Sequence, residues 1–376
     1  MNRLSEKIAA IAPSATIEIS DEAQRMKREG IDVISLSIGE PDFATPGHIT
    51  EACIDALRRG ETHYAPSAGI PELRKAIAAK ISRENGFPAD ENNTIVSCGA
   101  KNTIYEAMEA VLDPGDEVLI CDPCWVSYEP CVQIAGGRAV HHPLPEPAFQ
   151  VDDTLLERVS RKTKMIVVNS PSNPSGAVLN DASLRCVADI CTDHDIVALS
   201  DEIYEKLVYG VEHRSLAAIG DMHERTITVN GFSKAYAMTG WRIGYAVAPL
   251  PIIRQMIKVQ QHTISHPATF AMWGAVAALE GDQSCVDAMR DAFDERRRFV
   301  MAALSRMGFA TAPADGAFYA FLRTGDDMNV ARRWLHEARV AVTPGTAFSA
   351  PGWIRLSYAA DIETLRRAME RIAQVL

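Results

Sequence analysis

The sequence predicts an α/β protein built on a mainly parallel sheet, with a second, smaller α+β unit. Three observations predict it. Short apolar runs of strand character alternate with longer helical patterns between residues 94 and 248. Beyond about Asp287 the texture changes to long charged helical stretches around short strands. At 376 residues, the chain is also longer than one hydrophobic core usually serves.

In chain order, the opening MNRLSEKIAAI is too short to fold alone, so roughly the first 40 residues are expected to join the smaller unit. The strand candidates are TIVSC (94–98), EVLIC (117–121), KMIVVN (164–169), IVALSD (196–201), TITVN (226–230) and GYAVA (244–248). Their β-branched and apolar content suits a sheet covered on both faces. TIYEAMEAVL (103–112) and SLRCVADICTDHD (183–195) read as helices, the first closed by the turn Asp113-Pro-Gly-Asp. Later, DAMRDAFDERRRFVMAALSRMG and ETLRRAMERIAQVL enclose short strands near AFYAFL and WIRLSY. The expected division is 1–40 for an N-terminal arm and part of the small unit, 41–286 for the large unit, and 287–376 for the rest of the small one.

Composition narrows the function. A formal net charge of -11 argues against nucleic acid or an anionic membrane, both of which call for a basic face. No apolar run approaches the roughly 18 residues of a membrane span, and the start, with Glu6 and Lys7, makes a poor secretory segment. A cytoplasmic location is expected. Eight cysteines in a chain of this length do not form a disulfide framework. Cys121-Asp-Pro-Cys124 reads as two small hydrophobes at a strand end broken by Pro123, since no second C-x-x-C completes a zinc site.

Ligands of open α/β sheets sit beyond the carboxyl ends of the strands. Four junctions there carry chemistry. KMIVVN leads into SPSNPSG, with Asn169 and Asn173; IVALSD ends in Asp201, followed by Glu202 and Tyr204. TITVN leads into Ser233 and Lys234, and TIVSC into a Gly99-Ala100-Lys101 helix start. Singly these are a turn, a cap and a solvated lysine. Jointly they meet the needs of pyridoxal 5′-phosphate: an amine for its aldehyde, a carboxylate for the pyridine nitrogen, amide and phenol donors for O3′, and a helix N-terminus, hydroxyl and arginine for the phosphate. Arg242 follows Lys234 closely enough to serve.

SKAYAMTGWRIGY, with NSPSNPSG, SDEIY, THYAPSAGIPELR and WIRLSY, resembles the class I aminotransferases of pyridoxal-phosphate fold type I, from about Pro13 onward. The nearest branch is that of bacterial aspartate aminotransferases, some of which act on prephenate. The resemblance implies a large domain with a mainly parallel seven-stranded sheet between helices, plus a smaller α+β domain from both termini. It implies that Lys234 forms the internal aldimine and later shuttles a proton, and that Asp201 pairs with the pyridine nitrogen. Asn173 and Tyr204 would bind O3′, and Trp125 would stack on the ring. Gly99, Ala100, Lys101, Ser233 and Arg242 would surround the phosphate, with Tyr64 reaching it from the second subunit of a homodimer. Arg355, helped by Asn173 and the Gly39 backbone, would take the substrate α-carboxylate, while Thr16 and Lys101 match residues that contact a distal carboxylate. The substrates implied are an L-amino acid, acidic by preference, and a 2-oxo acid. His262 and His266 stand where relatives carry smaller polar residues, in a segment the family places near the dimer-related site.

Other chemistries share the scaffold. Aminotransferases for aromatic or neutral amino acids, carbon–sulfur β-lyases and aminocyclopropane carboxylate synthesis use the same fold. A transcription regulator of this fold needs a preceding DNA-binding domain, for which the 30 or so non-basic residues before ISLSIGEPDF are too few. Neither G-x-G-x-x-G nor G-x-x-x-x-G-K-[ST] occurs, so nucleotide binding has no motif behind it.

Overall fold

The computed structural model describes residues 4–11 and 15–376, without the side chains of residues 15–18 and 20. The strands, in chain order, are β1 (Ile34–Ser35), β2 (Thr94–Ser97), β3 (Glu117–Asp122), β4 (Arg138–Pro143), β5 (Thr163–Asn169), β6 (Val197–Asp201), β7 (Thr226–Gly231), β8 (Gly244–Val247), β9 (Tyr319–Arg323), β10 (Val340–Ala341), β11 (Thr343–Pro344) and β12 (Trp353–Ser357). Helices α1 (Glu6–Ala9), α2 (Ala15–Arg28), α3 (Gly47–Arg58), α4 (Pro71–Lys80), α5 (Ala100–Val111) and α6 (Tyr128–Ile134) occupy the first half. The second half adds α7 (Asp181–Asp193), α8 (Leu250–Gln261), α9 (Thr269–Glu280), α10 (Ser284–Arg306), α11 (Asp327–Arg333) and α12 (Ile362–Ala373).

Seven strands form the central sheet in the order β2-β8-β7-β6-β5-β3-β4. Every pairing is parallel except the two made by β8, which runs against both β2 and β7. Both faces are covered, as a parallel sheet requires. Val118 and Ile120 of β3 join one hydrophobic cluster with Ile104, Met108 and Ile253, whereas Leu119 between them joins another with Leu184, Val187 and Ile190. The period-two alternation of a strand thus divides one apolar run between two helical layers. The six strand candidates all appear. The seventh strand, β4 (RAVHHP), was missed because an edge strand carrying an arginine and two histidines lacks a continuous apolar run.

The smaller unit is antiparallel, in the order β11-β12-β9, with α10 and α12 packed beside it. The N-terminal segment joins it: β1 pairs in parallel with β10, and Ile19, Ala23 and Met26 of α2 are buried in the cluster of Phe293, Leu322 and Leu365. Residue 287 lies in the first turn of α10.

The reversal of β8 brings two backbones together. A Cβ on Gly244 would lie 2.4 Å from Ala100 N and 2.5 Å from the Gly99 carbonyl carbon, so only glycine lets β8 pass beneath the start of α5. Behind the sheet end lies a second constraint. Lys80 Nζ donates to Asn85 Oδ1 (2.6 Å) and to Glu205, while Asn85 Nδ2 donates to Glu205 Oε2 (2.7 Å) and to Glu202 Oε2 (3.2 Å). Ser200 and Ser215 donate to Glu202 Oε1 at 2.9 and 2.8 Å. Burial pushes the Glu205 carboxyl up, but the charges of Lys80 and His213, with hydrogen bonds from Lys80 and Asn85, together outweigh it and hold the group at about 2.

Gly244→Ala is expected to cost about 1–3 kcal/mol by overpacking, read as a lowered melting temperature; an unchanged melt would show that α5 can yield. Lys80→Met is expected to cost about 3–5 kcal/mol at neutral pH, because it strands a buried carboxylate. A depressed carboxyl contributes stability above its unfolded pKa and loses it as pH falls through the folded one. The gap between variant and parent in urea titrations should therefore narrow between the ordinary 4.5 and about 2.

Candidate active site

The strand ends converge as their order requires. β5 delivers Asn169 and Asn173, β6 delivers Asp201 and Tyr204, and β7 delivers Ser233 and Lys234. β8 separates β7 from β2, so the four junctions are not all adjacent. Because β8 is antiparallel, β2 still points the same way as β7, and the start of α5 opens at the same edge.

Lys234 is partly buried, and its Nζ donates to Gly39 O at 2.6 Å. The ammonium lies 5.9 Å from the ring centroid of Tyr204 and 5.7 Å from that of Phe318. Burial, reinforced by the positive charge of Arg355, pulls its pKa down to about 8, with Glu40 and Asp201 opposing. The amine is thus available as a nucleophile near neutral pH. Asp201 is also buried, which raises its carboxyl to about 6. The Tyr128 hydroxyl, donating to its Oδ2 at 2.7 Å, and Ile203 N, at 3.3 Å from Oδ1, restrain that rise. A third bond fixes the strand end, from Asn169 Nδ2 to Asp201 O (2.9 Å).

Arg355, on β12 and only 6% exposed, faces the same space from the smaller unit. Its Nη1 donates to Asn173 Oδ1 (2.8 Å) and its Nη2 to Ser37 O (2.5 Å) and Thr343 Oγ1 (3.4 Å). The guanidinium lies 4.5 Å from the ring centroid of Tyr319 and 4.8 Å from that of Phe348. Tyr319 also shares a 2.8 Å hydrogen bond with the Tyr204 hydroxyl. A Cβ on Gly39 would strike the Tyr319 hydroxyl at 2.2 Å, so the loop approaches this tyrosine only as glycine.

Around α5, Arg242 Nη1 donates to Thr239 O (2.9 Å), and a Cβ on Gly99 would meet Nη2 at 2.5 Å. Ser233 is buried. Lys101 Nζ lies 5.0 Å over the ring of Trp125, which in turn meets Tyr128 edge to face at 5.4 Å. Tyr64 is 93% exposed and packs edge to face on His266, whose Nε2 accepts from Ala65 N at 3.1 Å. His262 caps α8, its N–H bonded to Lys258 O and Val259 O. The side chain of Thr16, in α2, lies outside the described residues.

These groups fit pyridoxal phosphate on their own chemistry. The α5 N-terminus has backbone N–H groups without intrahelical acceptors, beside a guanidinium held against a side-chain-free glycine. The amine is nucleophilic, and the carboxylate is buried where a pyridine proton would neutralise it. Arg355 Nε is buried without a hydrogen-bond partner among the described residues, which leaves a donor for a carboxylate. Sequence reasoning missed Tyr128, Tyr319, Ser37 and Phe348. The first two stood in CDPCWVSY and AFYAFL, where an aromatic has no mark separating a functional hydroxyl from core packing.

The family profile "Aminotransferase class I and II" matches residues 31–372. The chain is 44% identical over 385 aligned residues to the aspartate/prephenate aminotransferase of Thermus thermophilus, covering 100% of this chain and 99% of that one. It is 42% identical to an aromatic-amino-acid aminotransferase of Thermococcus litoralis, at 99% and 98% coverage. The solved structure of Thermus thermophilus aspartate aminotransferase with maleate is similar at a TM-score of 0.96 and 43% identity, with both chains covered completely. The chain belongs to the class I and II aminotransferases and, as a member of the aspartate aminotransferase type, uses pyridoxal phosphate.

Proposed function

We propose that this aminotransferase works on acidic substrates, with aspartate or glutamate as amino donor and a 2-oxo acid, prephenate among them, as acceptor, as a cytoplasmic homodimer. The observation that carries the reading is Lys101, a second cation held over Trp125 at the start of α5, in addition to Arg355. Two cations suit a substrate with two carboxylates. Relatives named for aspartate and prephenate support it; Thr16 is assigned beside Lys101 on resemblance. Among the described residues no helix is long and apolar enough to cross a membrane.

The residue roles are those the resemblance implies. Bound pyridoxal phosphate supplies an aldehyde for an amine and a protonated ring that draws electrons from the amino acid. Lys234 would hold the aldehyde and, when free of it, would take the proton from the substrate Cα. Asp201, held by Tyr128, keeps the proton on the pyridine nitrogen. Asn173 and Tyr204 bind O3′, with Tyr319 orienting the Tyr204 hydroxyl. Trp125 covers the ring. Gly99, Ala100, Lys101 N–H, Ser233 and Arg242 bind the phosphate, and exposed Tyr64 is poised to reach the partner's. Arg355 grips the α-carboxylate through a planar fork, with Asn173 and Gly39 beside it.

Borohydride reduction of the yellow holoenzyme should leave the cofactor on Lys234; label on another lysine would overturn the assignment. Only the free amine captures the aldehyde, and its fraction grows as pH rises through about 8. Capture of pyridoxal phosphate by the cofactor-free protein, followed by absorbance, should slow about tenfold per pH unit below that point. Lys101→Ala should lower kcat/KM for aspartate by about 10-fold or more while sparing a neutral amino acid. Equal losses would leave Lys101 no role in specificity, and ammonia release without any oxo acid would indicate a lyase.

A further inference from the structure

The corner behind Trp125 joins three side chains that the transamination residues leave unused. Asp122 closes β3, Cys124 follows it by two residues, and His141 comes from the neighbouring edge strand β4. His141 Nδ1 lies 3.0 Å from both carboxylate oxygens of Asp122. One ligand atom from each of the three residues lies within 4.8 Å of the others. Asp122 and Cys124 are buried, and the His141 side chain is 29% exposed at the sheet edge.

We propose that Asp122, Cys124 and His141 form a binding site for Zn²⁺. One sulfur, one nitrogen and one oxygen suit a borderline-soft cation; magnesium and calcium select oxygen ligands alone. Ligand atoms about 2.0–2.3 Å from a tetrahedral zinc lie closer to one another than 4.8 Å, so small side-chain rotations complete the grip. His141 Nε2 faces Glu129 Oε2 at 3.5 Å, the carboxylate–histidine arrangement that orients a metal-bound imidazole. A thiolate and a carboxylate in this corner also match the charge of a divalent ion. The competing arrangement is a plain histidine–aspartate ion pair with Cys124 packed as a small hydrophobe beside Ile120 and Tyr128, and it retains no ion.

The site touches the active centre through the backbone. Cys124 directly precedes Trp125, and its N–H donates to Phe348 O at 3.0 Å, the residue whose ring lies under Arg355. A bound ion therefore pins the turn that holds the ring-covering tryptophan. That consequence rests on the roles proposed above; binding itself does not.

The test is equilibrium dialysis of the holoenzyme against Zn²⁺, with metal counted per chain, and Cd²⁺ as an ultraviolet probe of thiolate ligation. The expected result is one ion per chain and a thiolate–Cd²⁺ charge-transfer band. Cys124→Ser and His141→Ala should each weaken binding about 10–100-fold or more, and Glu129→Gln should weaken it less. Cys186→Ser, a control thiol beside Asp153 elsewhere on the surface, should change nothing. Thermal melts verify that each variant is folded; His141 is partly exposed on an edge strand, so its replacement keeps the test open if Cys124→Ser unfolds. No retained ion, or retention equal to the parent in folded His141→Ala, overturns the site.

Discussion

A lysine amine shut away from water has two ways to be stable: find an anion or release its proton. At Lys234 the fold denies the first. Its direct partner is a neutral carbonyl, Gly39 O, and Arg355 adds a like charge, so the amine is driven toward its free form. Much of the surrounding architecture maintains that condition. The smaller unit supplies Phe318 and Arg355, the N-terminal loop supplies Gly39, and the large sheet supplies the strand end that carries the lysine.

The opposing carboxylate depends on the same desolvation. Asp201 is raised by burial, yet Tyr128, Ile203 N and the nearby lysine each favour its ionised form. Behind it, Glu202 and Glu205 place two more carboxyls under the same strand end, and Lys80, Asn85, Ser200 and Ser215 satisfy them. By keeping Glu202 as a carboxylate, those donors leave a like charge beside Asp201 that adds to the burial raising its pKa. The buried network is thus part of what tunes the visible site.

Much of this was legible in sequence, because the site hangs on ends of apolar strands. TITVN before Ser233-Lys234 and IVALSD ending in Asp201 mark both the element and the residue that emerges from it. What escaped shares a physical cause: dependence on contacts between distant residues. Tyr128 is recognisable only once α6 lies beside β6, and Tyr319 only once the smaller unit meets the large one. The antiparallel course of β8 leaves no compositional mark, since GYAVA would read the same in either direction. β4 was hidden by polarity, and the grouping of His141 with Asp122 and Cys124 was hidden with it.

Transamination adds a demand that neither a rigid clamp nor an open cleft meets. One site must accept an amino acid, release its oxo acid, and then accept a different oxo acid. The shared feature is the α-carboxylate, and Arg355 is held in place by Asn173, Ser37 and Thr343 before any substrate arrives, so little ordering remains to be done. The variable feature is the far end. On the substrate reading proposed above, Lys101 sits at a helix start against Trp125, in no salt bridge among the described residues, and turns toward a second carboxylate without breaking an ion pair. Rigid recognition at one end and adaptable recognition at the other is the division of labour that two alternating substrates require.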